Sequence, residues 1–149
     1  RLKAARPDIA IGADIIAGFP TEDDAMFANS LDLLDACDVV FGHIFPYSPR
    51  PGTAAARMPQ LGRDVARARA EQLRAHVAAR KAHWLSSLIG SEQQVLVELD
   101  GKSGHAENHA RVEIISGRDF RYEPDALKGR IMTVTITAST GDTLLGEVR

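Results

Sequence analysis

The chain is poor in cysteine: Cys37 is the only one among 149 residues. That excludes an internal disulfide and any metal site built on several thiolates, iron–sulfur clusters included, within this polypeptide. No run is long and apolar enough to span a bilayer, and no basic segment followed by an apolar stretch opens the sequence as a secretory signal would. A cytoplasmic protein with no membrane contact is expected. Internal repeats and low-complexity tracts are lacking too, apart from an Ala/Arg bias between residues 61 and 90. The first residue is Arg1, not Met, and the pattern begins mid-course, so the chain is expected to be part of something longer.

What is present is unevenly placed. Residues 1–60 carry 5 basic and 8 acidic side chains, residues 61–90 carry 6 and 2, and residues 91–149 carry 7 and 10. Positive charge therefore gathers in the middle, where contact with phosphates would be sought first.

Asp38 to Pro59 reads DVVFGHIFPYSPRPGTAAARMP, an apolar run that stops at Pro46 in a polar turn rich in Pro. A residue before Pro is pushed toward extended geometry, so Phe45 and Ser48 should be non-helical. The reading is a buried strand that delivers a rigid loop at its C-terminal end, where parallel α/β proteins carry ligand sites. Tyr47, Ser48, Arg50 and Thr53 stand there. Upstream, IAIGADIIAGF (9–19) lies between Pro7 and Pro20 and is too short for a comfortable helix, so it reads as a buried parallel strand. Asp14 inside it needs a hydrogen bond or a charge partner, whether it caps a neighbouring loop or contacts a ligand.

Thr21 to Asp24 has the spacing of a capping box, which predicts a helix from Thr21 to about residues 35–38 with Phe27, Leu31 and Leu34 facing the sheet and Met26 and Leu33 widening that stripe. Cys37 then reads as a small buried hydrophobe and His43, between Phe41 and Phe45, as a core histidine. Residues 61–89 predict a long basic helix with Ala66, Ala70, Leu73, Val77, Trp84 and Leu88 on the apolar side. Arg67, Arg74 and Lys81 repeat every seven residues on another face, suited either to phosphates or simply to water.

After Gly90 the period falls to two. Strands are predicted at 93–100, 105–116, 130–138 and 143–148, with Gly101, Gly104, Gly117, Gly129 and Gly141 as punctuation, which suggests a small closed or nearly closed antiparallel barrel of OB-like type. The expected organisation is 1–89 followed by 90–149: an α/β portion, then an all-β barrel.

Two runs now bring in a family. ADIIAGFPTE resembles the T-D-I-I-V-G-F-P-G-E strand, and FPYSPRPGTAAARMP the Y-S-x-R-x-G-T-x-A-x-x-M loop, of the radical-SAM tRNA methylthiotransferases. VLVELDG, GHAENHARV and LKGRIMTVTI resemble successive runs of the TRAM domain that ends those enzymes. The resemblance implies the C-terminal βαβ-α portion of a partial TIM-type radical-SAM barrel plus a TRAM β-barrel. It implies a parent enzyme that uses S-adenosylmethionine and [4Fe-4S] clusters to place a methylthio group on C2 of an adenosine beside the tRNA anticodon. The cluster-binding cysteine motif is absent, so this chain alone is expected to be inactive, with the remaining N-terminal part of the same enzyme as a partner. For cofactor binding the resemblance and the loop point to Asp14, Gly18, Ser48 and Arg50. For tRNA binding they point to Arg67, Arg74, Lys81, Lys102, His105, Asn108, His109 and Arg111, with Arg118 and Arg121 as further cations.

Residues 45–58 are most similar to the MtaB-like branch, which modifies N6-threonylcarbamoyladenosine, then to the isopentenyladenosine-modifying MiaB-like branch, then to the branch that modifies a ribosomal protein. Thr21 stands where the family has Gly, and His105 and His109 where it has two tyrosines. The competing class is a non-catalytic RNA-binding or interaction module with an OB-like barrel.

Overall fold

The computed structural model describes residues 1–115 and 123–148. Gly117, Arg118, Arg121 and the end of the strand predicted over 105–116 lie outside those residues. The chain divides into two compact units, Ile11–Arg80 and Arg1–Ala10 with Lys81–Arg149.

In the first unit, β1 (Ile11–Ala17) pairs in parallel with β2 (Val39–Pro46), and α2 (Asp24–Ala36) makes the crossover that parallel neighbours need. Ala13, Ile15 and Ala17 alternate toward the core, which they share with Phe27, Leu34 and Ile44 and with Ala70, Leu73 and Val77 of α3 (Arg63–Ser87). α3 begins two residues later and ends two earlier than the predicted 61–89. Leu88 falls beyond it and is only half-buried, whereas Leu85 is fully buried. The stripe of α2 is narrower than expected, because the fold leaves Met26 and Leu33 exposed.

Three expectations are corrected here. The two strands are not buried on both faces: Asp14 and His43 are register partners and exposed, with Ile16 and Phe45 next to them 57% and 56% exposed. Among the described residues the sheet has two strands and helices on one side, so the alternate positions meet water, and Asp14 needs no buried partner. The helix is capped by Asp23, whose carboxylate accepts the Met26 N–H at 2.8 Å, not by Thr21. Thr21 has a φ of +70°, a left-handed geometry that an N-cap does not use. Cys37 is not a buried hydrophobe: it is the C-terminal cap of α2, beyond the last helical residue, and is exposed.

The second unit opens with α1 (Leu2–Ala5) and is built on a closed barrel in the order β3-β4-β5-β7-β6. The strands are β3 (Glu92–Val97), β4 (Ser103–Ala106), β5 (Arg111–Ile115), β6 (Ile131–Ser139) and β7 (Leu144–Val148). The barrel is not wholly antiparallel, because β5 and β7 pair in parallel and close it. Five strands stand where four were expected, since the run from 105 turns at Glu107–Ala110 with His109 at a φ of +63°. Val95, Val97, Val112, Val134, Ile136 and Leu144 fill the interior. Gly146 faces Val134 so closely that a Cβ there would lie 2.4 Å from its Cγ1, which is why a small residue interrupts β7. A short α4 (Pro124–Leu127) follows, with Leu127 buried. Among the described residues no helix is long and apolar enough to cross a membrane.

Candidate functional site

The C-terminal ends of β1 and β2 meet at a local structure that the two sequence runs dictate. The Tyr47 N–H donates to the Ala17 carbonyl at 2.8 Å, extending the ladder one step past β2, and the Phe19 ring stands edge-on to Tyr47 with centroids 5.4 Å apart. Beyond Pro49 the chain closes on itself: Thr53 Oγ1 donates to the Arg50 carbonyl at 2.9 Å and accepts the Ala56 N–H at 3.2 Å. A cavity of about 490 Å³ results, lined by Ile16 and Phe45 on its apolar side and by Tyr47, Ser48, Arg50 and Thr53 on its polar side.

A buried ion pair holds the turn after β1. Gly18 has a φ of +72°, and its N–H donates to both carboxylate oxygens of Glu22 at 3.2 Å. Arg69 of α3 donates to Glu22 Oε1 at 2.7 Å, to the Glu22 carbonyl at 2.8 Å and to Asp24 Oδ1 at 2.6 Å, while lying 5.3 Å from the centre of the Phe27 ring. Burial works to lower the Arg69 pKa, but the hydrogen bonds to Asp24 and Glu22 outweigh it and hold the pKa above its ordinary value. Arg69 and Glu22 were missed in the sequence. The readable signal was an arginine on the Ala66–Ala70–Leu73 stripe, which requires a carboxylate brought from elsewhere in the fold.

Of the residues named for cofactor binding, Ser48 and Arg50 share the cavity. Asp14 lies on the open sheet face, and Gly18 packs on α3, where a Cβ would come within 2.5 Å of Ala66 Cβ. The three helix cations part company. Arg67 lines a second cavity with Tyr47, Ser48 and Arg63; Arg74 donates to the Ile44 carbonyl at 2.7 Å; and Lys81, in the other unit, pairs with Asp142.

On the barrel, His105 Nδ1 sits 2.8 Å from Glu98 Oε1, and Arg111 Nη1 is 3.9 Å from the other oxygen of that carboxylate while Nη2 donates to Ser103 Oγ at 3.1 Å. Asn108 Oδ1 accepts the Ala110 N–H at 3.1 Å, so it shapes the turn that presents His109. His105 and His109 line a shallow cavity of about 370 Å³ with exposed Leu96 and Ile131. Lys102 is exposed at the rim of the next turn, where the Lys102 N–H donates to Asp100 at 2.9 Å. That backbone donor, the Ser103 hydroxyl and the Ser103 N–H together lower the Asp100 pKa to about 2. Among the described residues no group of three or more His, Cys, Asp and Glu side chains is gathered to hold a metal ion.

No protein-family model matches the chain. Individual curated proteins do. The chain is 40% identical over 114 residues to the threonylcarbamoyladenosine tRNA methylthiotransferase MtaB of Rickettsia prowazekii, covering 76% of this chain and 27% of that protein. It is 36% identical over 150 residues to the tRNA-2-methylthio-N(6)-dimethylallyladenosine synthase of Vibrio vulnificus, covering 99% of this chain and 31% of that one. The corresponding synthase of Cereibacter sphaeroides is 38% identical over 156 residues, at 99% and 33% coverage. These relatives define a class, the tRNA-modifying methylthiotransferases. The chain is homologous to its MtaB- and MiaB-like members and spans about a third of the length of the curated relatives it matches.

Proposed function

We propose that this chain serves a tRNA methylthiotransferase as one wall of the S-adenosylmethionine site and as an RNA-binding barrel. The observation that carries the reading is continuity: similarity to those enzymes runs through both the sheet with its cavity and the closed barrel, at 99% coverage of the chain. The cavity suits a nucleoside with a charged tail. Ile16 and Phe45 offer apolar surface to a purine, Ser48 a hydroxyl, and Arg50 a fixed cation for a carboxylate. When bound in the complete enzyme, S-adenosylmethionine supplies the methyl group and the radical chemistry of the class. Cys37 is the one cysteine and is exposed at the end of α2, so the residues here do not fit a [4Fe-4S] cluster, whose ligands belong to other parts of the parent protein.

Among nucleosides the reading favours N6-threonylcarbamoyladenosine, supported by the FPYSPRPGT loop and by the 40% identity to a protein named for that substrate. The barrel's His105, His109 and Arg111 are assigned to RNA contact, and cytoplasmic tRNA is the partner.

Arg50→Ala in the complete enzyme tests the cavity. A charge-assisted hydrogen bond is worth about 1.5–3 kcal/mol, so kcat/KM for S-adenosylmethionine should fall roughly 10- to 150-fold with the melting temperature unchanged. A melting temperature several degrees lower with specific activity retained would instead make Arg50 a structural residue of the turn.

A further inference from the structure

Two arginines stand where a helix least tolerates them. Arg63 opens α3 and Arg67 follows one turn later, so like charges neighbour each other at the positive end of the helix dipole. Neither has an ion-pair partner among the described residues, Asp64 and Glu71 included, although Arg69 and Arg80 of the same helix are both paired. Like charges one turn apart destabilise a helix unless an anion sits between them. Both arginines line a cavity of about 280 Å³ whose other wall is Pro46, Tyr47, Ser48 and Pro49. Ser48 is exposed, and among the described residues the buried Tyr47 hydroxyl has no hydrogen-bond partner. Leaving a buried hydroxyl without a partner is costly, and here it belongs to the same wall as the exposed Ser48 hydroxyl and the two guanidiniums.

We infer that this cavity holds one backbone phosphate of an RNA strand, with Arg63 and Arg67 neutralising it and the Ser48 and Tyr47 hydroxyls donating to its oxygens. This cavity shares Pro46, Tyr47 and Ser48 with the 490 Å³ cavity, so Tyr47 and Ser48 would join RNA anchoring to the cofactor wall. The inference rests on the methylthiotransferase reading only in its choice of RNA as the source of the phosphate.

The test is tRNA affinity of the full chain against salt, with Arg63→Gln/Arg67→Gln and Tyr47→Phe variants, alongside nitrogen NMR of the arginine side chains titrated with inorganic phosphate. Each neutralised phosphate contributes about 0.7–0.9 to the slope of log affinity against log salt, so the double variant, which frees one phosphate, should flatten it by about 0.7–0.9. Tyr47→Phe removes a neutral donor and should weaken binding about 3- to 10-fold with the slope unchanged. Phosphate should shift the Nε–H signals of Arg63 and Arg67. tRNA binding with the parent slope in the double variant overturns the inference and leaves the methylthiotransferase reading standing. A chain that ignores tRNA while phosphate shifts both arginines assigns the cavity to a small phosphate-bearing molecule and overturns it as well. Failure of the methylthiotransferase reading shows elsewhere, as methylthio nucleosides that persist when the gene is removed.

Discussion

Thr21 carries a conformation that its side chain resists. A β-branched residue at a φ of +70° costs about 1–2 kcal/mol against glycine, and the turn is held in it by Gly18, Glu22 and Arg69. Thr21→Gly should therefore raise stability by about 1 kcal/mol in urea unfolding; a loss would show that the threonine makes a compensating contact. Arg69→Ala should act in the opposite sense. Removing one partner of a buried pair leaves the Glu22 carboxylate uncompensated, at about 3–5 kcal/mol, and Arg69→Lys should recover only part because it cannot reach Glu22 and Asp24 together. The sequence made Thr21 legible as a departure and Ser48 and Arg50 as a loop pair, because Pro and Gly punctuate locally. Arg69–Glu22 was not legible, since 47 residues separate its partners and no local rule links them.

Elements were readable where the period was long and the punctuation strong: α3 was off by two residues at each end, and β1, α2 and β2 appeared in order. The division between β4 and β5 was hidden because Glu107–Ala110 holds neither Gly nor Pro; the turn is made by Asn108 and by a histidine in the left-handed region. Asn108→Ala should cost about 1 kcal/mol by freeing the Ala110 N–H, read as a lower urea midpoint for the barrel. The Asp100 turn gives the barrel a pH signature. Its folded pKa of about 2 lies below the ordinary 3.8, so the stabilisation it provides is complete above pH 4 and is lost as the pH falls toward 2. Asp100→Asn should flatten the acid limb of the stability curve over that window, and an unchanged limb would place the titration elsewhere.

The molecule as a whole consists of two differently closed units. The barrel satisfies its own edges, whereas the sheet of β1 and β2 leaves Ile16 and Phe45 in water. Amide exchange should accordingly be slower at Val97 and Val134 than at Ile15 and Ile44, and equal protection would contradict that difference. The order of α/β unit and barrel was legible from the change of period at Gly90; the open sheet face was not, because a strand pattern records which residues are apolar and not whether a neighbour is present to cover them. The central claim, that this chain works within a tRNA methylthiotransferase, is tested most directly by deleting its gene and quantifying the nucleosides of total tRNA by mass spectrometry. The expected result is loss of the 2-methylthio derivative of N6-threonylcarbamoyladenosine, accumulation of the unmodified nucleoside, and recovery when the gene is returned. Methylthio nucleosides unchanged in the deletion strain would contradict the claim.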